Sequence, residues 1–174
     1  MNAAYFALTT AVPIIGALVH VFVDSKANRR TAPRVIELFL VWIVAGTGAV
    51  AILGGIGHIG PNSTDLAEDI GFEQSFFQWE VGWGDIALGV VGFLCIWKRD
   101  SFMTAAVIVL VIQYGGDAIG HVMQLVEHDN TEPGNVLAIP TDIVFPLAAA
   151  ILLFVYRRYE RNEARAPAAP ATAG

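Results

Sequence analysis

Charged residues are scarce in this chain of 174 residues: they make up 15% of it, whereas 55% of the residues are apolar. Soluble domains carry about 25% charged residues. The composition therefore argues against a water-soluble globule, a disordered chain and a nucleic-acid binder. The single cysteine, Cys95, excludes an intrachain disulfide. No lysine or arginine precedes the first apolar run, so that run lacks the basic start of a cleavable signal peptide. The remaining class is a small membrane protein.

Five apolar runs are long enough, or nearly so, to cross a membrane as helices, which takes about 20 residues each. They cover residues 3–23, 35–57, 76–97, 102–124 and 139–156. Turn-forming residues separate the runs, and two of the connections are short, which indicates packed hairpins. We therefore predict an all-α bundle of five transmembrane helices over residues 1–158. A Pro/Ala-rich cytoplasmic tail over 159–174 is predicted to be disordered.

All ten lysines and arginines fall in three segments, residues 26–34, 98–99 and 157–165. With five crossings, these segments lie on one side of the membrane, and the positive-inside rule makes that side the cytoplasm. The outer loops contain acids but no lysine or arginine. The prediction is a multi-pass protein of the cell membrane, with its N-terminus outside and its C-terminus in the cytoplasm.

Four carboxylic acids interrupt the apolar runs, and an ionisable group at the centre of a membrane helix costs about 2.5–3.5 kcal/mol. Counting inward at about 1.5 Å per residue places them in the outer half of the bilayer, together with His58 and His121. No lysine or arginine can reach them from the cytoplasmic side. They must therefore bind a metal ion, pair with a histidine or carry protons. The four acids are Glu80, Asp85, Asp117 and Asp142.

The clearest geometry lies on the fourth run. Gln113, Asp117 and His121 follow one another at i, i+4 and i+8, which places them on one helical face. An aspartate and a histidine one turn apart can chelate one ion. Gly116 and Gly120 form a G-x-x-x-G element, which predicts the close approach of a neighbouring helix.

The third run contributes two acids that a regular helix would separate. Glu80 and Asp85 are about 140° apart around the helix axis, so both cannot face the fourth run. We expect Asp85 to meet Asp117 at a deeper level. Glu80 is expected to join His58 and His121 at a shallower level.

Three further polar residues are expected to support these ligands or to relay protons. Gln78 shares a face of the third run with Asp85, and Gln113 continues the stripe below Asp117. Asp142 stands at the start of the last run, where a carboxylate also favours the positive end of the helix dipole.

Short blocks of sequence within residues 35–155 resemble those of a known protein family. In this combination and order, the chain resembles a family of bacterial integral membrane proteins of uncharacterised function. The resemblance implies a bacterial inner-membrane protein with a shared membrane site at His58, Gln78, Glu80, Asp117, His121 and Asp142, but it transfers no reaction. The blocks are Gly57-His58-Ile59, Ile70-Gly71-Phe72, Phe76-Phe77-Gln78-Trp79-Glu80-Val81-Gly82, Gly116-Asp117-Ala118-Ile119-Gly120-His121, Pro133-Gly134-Asn135 and Asp142-Ile143-Val144-Phe145-Pro146.

Three classes of function remain open. The first is a divalent transition-metal centre (Fe, Mn or Zn) that supports redox or hydrolytic chemistry on a lipid-like substrate; its ligands would be His58, Glu80, Asp85, Asp117 and His121. The second is proton or cation translocation through the same residues. The third is a non-enzymatic accessory or lipid-binding subunit. The sequence assigns no catalytic residue, and it leaves a homo-oligomer or a larger membrane complex open as partners besides lipid.

Overall fold

The computed structural model describes residues 3–165, and the side chains of residues 6–165. All the regular secondary structure in this part of the chain is helical, as predicted. Seven helices are described: α1 (Ala3–Val23), α2 (Ala32–Ile59), α3 (Ser63–Ile70), α4 (Phe77–Leu94), α5 (Ser101–Glu127), α6 (Pro133–Val136) and α7 (Ala138–Arg165).

Four segments are long and apolar enough to cross a membrane: Phe6–Val23, Ala32–Ile59, Ser101–Glu127 and Pro133–Arg165. Their length and composition identify the chain as a membrane protein with several candidate spans. Helix α4 coincides with the predicted run 76–97 but is not among the four. It has 18 residues, and Gln78, Glu80 and Asp85 lower its mean hydropathy.

The last helix is longer than the apolar run that predicted it. Helix α7 continues to Arg165, so residues 159–165 are helical where the sequence predicted the start of a disordered tail. The segment that follows Tyr156 is rich in Arg and Glu, both good helix formers, and the helix extends through it. The rest of the predicted tail, residues 166–174, lies outside the described residues.

At the end of the bundle away from the basic residues, the loop that contains α3 and the loop that follows α5 contact each other. Helix α3, which the sequence did not predict, ends at Gly71 in the left-handed conformation, with a φ of 74°. The Asn130 side chain donates hydrogen bonds to the carbonyl oxygens of Ile70 (2.9 Å) and Gly71 (3.2 Å). This contact fixes the loop that follows α5 against the end of α3.

Helices α2 and α4 pack antiparallel through a seam of glycines. A Cβ atom at Gly55 would collide with the backbone of Gly82, and one at Gly48 would collide with that of Gly89. Small residues allow helix backbones to approach this closely in membrane proteins. The seam holds α4 alongside α2.

The predicted close approach at the G-x-x-x-G element of α5 is wrong within this chain. A Cβ atom added at Gly116 or Gly120 would meet nothing within 4 Å. Helix α5 packs mainly on α7, through a different face. The two glycines line a cavity instead.

The opposite end of the bundle is closed by buried ion pairs. The Arg34 guanidinium is 4% exposed and contacts Asp24 (Nε to Oδ2, 2.7 Å) and Glu37 (Nη1 to Oε2, 2.7 Å). Glu37 also accepts from Arg99 Nη1 at 2.7 Å. Arg157 donates to the backbone carbonyl of Asp100. These contacts join α2 and α7 with the loop between α4 and α5 and with the residue that follows α1.

We predict that Gly55→Ala destabilises the protein by about 1–3 kcal/mol, because the added methyl group overpacks the α2–α4 seam. Gly84→Ala is the matched control on α4, since its Cβ atom meets nothing within 4 Å. The control should be neutral or slightly stabilising. Unfolding of both variants in detergent measures the difference, and equal stabilities would contradict a close-packed seam.

A second prediction concerns the pH dependence of the Asp24–Arg34 pair. The hydrogen bond from Arg34 lowers the pKa of Asp24 from 3.8 to about 2. Such a carboxyl stabilises the fold at pH values above its unfolded pKa and loses this effect as the pH falls through the folded value. Asp24→Asn should therefore destabilise the protein near neutral pH, and the difference from wild type should vanish toward pH 2. Thermal unfolding measured against pH tests this, with the exposed Glu163→Gln as control.

Candidate functional site

A cavity of about 430 Å³ lies between α2, α4, α5 and α7, at the end of the bundle away from the ion pairs. The loop before α4 and helix α3 border it. Its walls bring together six of the eight residues that the sequence analysis selected as ligands or supporting groups. The six are His58, Gln78, Asp85, Asp117, His121 and Asp142.

The charge of the cavity wall is unbalanced. Three aspartates line it, each from a different helix, and the described lining residues include no lysine or arginine. Asp85, Asp117 and Asp142 lie close enough to interact electrostatically. The structure brings Asp85, Asp117 and Asp142 to the wall of the same cavity, without a direct contact between the Asp85 and Asp117 carboxylates among the described hydrogen bonds.

The Gln113–Asp117–His121 stripe has the geometry that its spacing predicted. Gln113 Nε2 lies 3.2 Å from both carboxylate oxygens of Asp117 and donates to them. Within the described residues, no hydrogen bond or ion pair reaches the Asp85 carboxylate. Asp117 is thus held by its own helix, whereas Asp85 is available to whatever enters the cavity.

His121 is held in one tautomer by a fully buried amide. Asn135 Nδ2 donates to the carbonyls of His121 (3.2 Å) and Asn130 (3.0 Å), which fixes the orientation of the amide group. Asn135 Oδ1 lies 2.7 Å from His121 Nδ1 and must accept, so Nδ1 carries the hydrogen. The other ring nitrogen, Nε2, lies 3.8 Å from Asp142 Oδ2.

Asp142 lines the cavity and does not cap the start of α7. Helix α7 begins at Ala138, so Asp142 lies in its second turn, beyond the free N–H groups of the helix start. It is 8% exposed, and its carboxylate accepts from Thr141 Oγ1 at 3.4 Å and faces His121. The sequence suggested that Asp142 stands at the start of a helix, whereas the structure places it in the second turn of α7.

His58 is in the opposite tautomer. Gln78 Nε2 donates to the carbonyl of Ser63 at 3.0 Å, and its Oε1 accepts from the Ser75 N–H at 3.4 Å. The same Nε2 lies 3.4 Å from His58 Nδ1, so Nδ1 of His58 accepts and Nε2 carries the hydrogen. Neutral His58 is a donor through Nε2, whereas His121 has a free lone pair there.

A comparison with known protein families identifies the family of this chain. The sequence model of a family of unknown function, DUF6790, matches residues 3–162. The chain belongs to the DUF6790 family. This confirms the uncharacterised family that the sequence blocks indicated. No curated protein and no solved structure matches the chain, so the chemistry of this DUF6790 site has to be inferred from its own geometry.

Glu80 is the predicted ligand that the cavity does not include. It is exposed and points away from the lining residues, while Asp85 on the same helix faces inward. Their angular separation of about 140° around the helix explains the difference. Glu80 is therefore not placed with His58 and His121 as expected. In residues 3–165, no group of three or more His, Cys, Asp or Glu side chains is close enough to hold a metal ion.

Two residues of the site were missed by the sequence analysis. Asn135 was interpreted only as part of a Pro-Gly-Asn turn. Thr47 lines the cavity at 4% exposure, and its Oγ1 is the one buried side-chain polar atom without a hydrogen-bond partner among the described residues. The sequence does contain a pattern that indicates Thr47. It lies eleven residues before His58, and this spacing places the two residues on one face of a helix.

We predict that Asn135→Leu releases the tautomer of His121. The buried Nδ1–H and two carbonyls lose their partner, which costs about 1–3 kcal/mol of stability. In ¹⁵N NMR spectra of labelled protein, wild-type His121 should show a protonated Nδ1, and the variant should show a mixture. Asn62→Leu changes an exposed asparagine that makes no capping bond and should leave both readouts unchanged. An Nδ1–H form that persists in Asn135→Leu would contradict the assignment.

Proposed function

We propose that this DUF6790 member is a polytopic membrane protein that binds a cation in its acidic cavity, in competition with protons. The observation that carries the proposal is the set of three aspartates around one cavity whose described lining contains no lysine or arginine. Carboxylates in a medium of low dielectric constant are stable only when they are protonated or neutralised by a cation. The same residues could serve translocation, as the sequence suggested.

The membrane arrangement that fits this proposal has five crossings. Helix α4 is the least apolar of the long helices, but it runs antiparallel to α2 along the glycine seam, and Arg99 beyond its end reaches Glu37 near the start of α2. The ion pairs and hydrogen bonds of Arg34, Arg99 and Arg157 are grouped at one end of the bundle. With that end in the cytoplasm, the N-terminus is outside, and the cavity lies in the outer half of the membrane.

The inner half of the bundle favours binding over an open channel. Beyond Thr47, the interior is filled by apolar side chains that form one packed cluster, including Leu40, Val44, Met103 and Leu110. No polar path through this cluster is found among the described residues. Release to the cytoplasm would therefore require the helices to rearrange, whereas exchange with the outer side would not.

A transition-metal centre of Fe, Mn or Zn is the second candidate. It is favoured by the hydrogen bond between His121 Nδ1 and Asn135, because metal-binding histidines are held in this way through the ring nitrogen that does not bind the metal. Nε2 of His121 would then act with Asp142, which it faces at 3.8 Å, and helix movement would have to bring in a third ligand, since the described side chains supply none within reach of the same ion. A bound metal would supply a Lewis acid for chemistry on a lipid-like substrate. His58 is less suited, because Gln78 donates to its Nδ1.

Proton release tests the cation proposal. Purified full-length protein in nanodiscs, weakly buffered near neutral pH, receives sodium, manganese, zinc or 2-phenylethylammonium chloride, and a pH indicator reports released protons. At least one cation should release about one proton per protein, since a bound cation replaces protons on the carboxylates. Asp117→Asn should abolish this release, and Glu80→Gln, which alters an exposed acid outside the cavity, should not. Absence of release with all four cations, or equal release from Asp117→Asn, would overturn the proposal.

Elemental analysis of the same preparations separates the two candidates. Stoichiometric iron, manganese or zinc in freshly isolated protein, lost in both His121→Ala and Asp117→Ala, would support the metal centre. Protein that contains no transition metal but releases protons to another cation would reject the metal centre and leave cation binding in place.

A further inference from the structure

We propose that the ligand of the cavity is an organic ammonium ion with an apolar, aromatic-sized body. The inference rests on the proposed function and specifies its ligand class. The juxtaposition that carries it is a wall of aspartates beside aromatic walls, in a cavity much larger than an ion. The same cavity retains a buried hydroxyl without a partner.

The size of the cavity argues for a molecule over a single ion. A volume of about 430 Å³ falls in the range of small-molecule sites, about 300–1,000 Å³. Along α2 its lining extends from Thr47 to His58, which is about 16 Å at the helical rise. The carboxylates are spread around this space and do not converge on one point, because no three of the described acidic or histidine side chains can share a metal ion.

The walls combine negative charge with aromatic surface. Asp85, Asp117 and Asp142 provide acceptors for an ammonium group. Aromatic rings contribute to the remaining walls, and such rings attract cations through their faces and also pack against apolar groups. Phe72 lies near the His121 ring, with the ring centroids 5.8 Å apart. The other aromatic lining residues are Phe6, Phe77, Tyr114 and Phe145.

Glycines keep the space beside the acids open. Gly54, Gly116 and Gly120 all line the cavity. A Cβ atom at Gly116 or Gly120 would meet nothing within 4 Å, and one at Gly54 would lie 3.8 Å from Asp85 Oδ2. Each glycine weakens its helix relative to alanine, and no close helix packing within the chain requires those on α5. Their effect is a wider cavity next to Asp117.

The Thr47 hydroxyl marks a part of the cavity wall where the protein leaves a hydrogen bond unmade. Buried polar groups are almost always hydrogen-bonded, and an exception calls for a specific reason. Thr47 Oγ1 has no partner among the described residues, although its side chain is nine-tenths buried and lines the cavity. Oγ1 itself is enclosed by its neighbours, so the hydroxyl has to turn toward the cavity before a ligand that extends along α2 can bond to it.

Calorimetric titration of the full-length protein in nanodiscs tests the ligand class. The probe is 2-phenylethylammonium, and 2-phenylethanol is a neutral molecule of the same length and shape. The ammonium ion should bind at least about tenfold more tightly than the alcohol, because only the ion neutralises the aspartates. Asp117→Asn should remove most of this preference.

A cavity-filling variant tests the location. Gly116→Leu places a large side chain in the cavity, and it should weaken 2-phenylethylammonium binding at least about tenfold. Gly84→Leu introduces the same side chain at an exposed, open position on α4 that does not line the cavity, and affinity should be retained. Thermal unfolding verifies that both variants fold.

The outcomes separate this inference from the proposed function. Equal binding of the ammonium ion and the alcohol, or unchanged affinity in folded Gly116→Leu, would overturn the ammonium assignment. If sodium, manganese or zinc releases protons through Asp117 while 2-phenylethylammonium does not bind, the ligand class is wrong and the cation site stands. If no cation releases protons, both fall.

Discussion

The confinement of lysine and arginine to one end of the bundle governs the rest of this structure. All ten lysines and arginines lie in the three segments at one end, so the aspartates at the other end have only histidines as potential cationic neighbours. A lysine or arginine side chain at the opposite end of the bundle is too short to reach them. The site is therefore defined as much by the absence of nearby positive charge as by the acids themselves.

Two groups of acids inside the bundle, most of them only partly buried, have opposite surroundings. Glu37 receives hydrogen bonds from both Arg34 and Arg99, and its charge is balanced within the protein. Asp85 receives none from the described residues. A buried ion pair of the first kind holds helix ends together and leaves no capacity for a ligand. An unneutralised carboxylate of the second kind requires a proton or an external cation, which is why we assign function to that end of the bundle.

Much of this arrangement follows from the sequence, because it depends on short-range periodicity. The spacing of Gln113, Asp117 and His121 fixes a shared helical face whatever the neighbours are, and the angle between Glu80 and Asp85 means that only one can face the cavity. The contribution of Asn135 could not be predicted, because it depends on how a loop folds back onto α5. The function of Gly116 and Gly120 was misassigned for the same reason: a G-x-x-x-G pattern records small residues but does not show whether a helix or an empty space faces them.

The two histidines illustrate how such tertiary contacts decide chemistry. Both follow Ile-Gly in the sequence and both line the cavity, so sequence alone gives them equivalent functions. Gln78 makes Nδ1 of His58 an acceptor, whereas Asn135 makes Nδ1 of His121 a donor. Only His121 thereby keeps a ring-nitrogen lone pair that faces an aspartate, with Nε2 3.8 Å from Asp142 Oδ2. The amides around the cavity, which carry no charge, thus determine which ring nitrogen of each histidine carries the hydrogen.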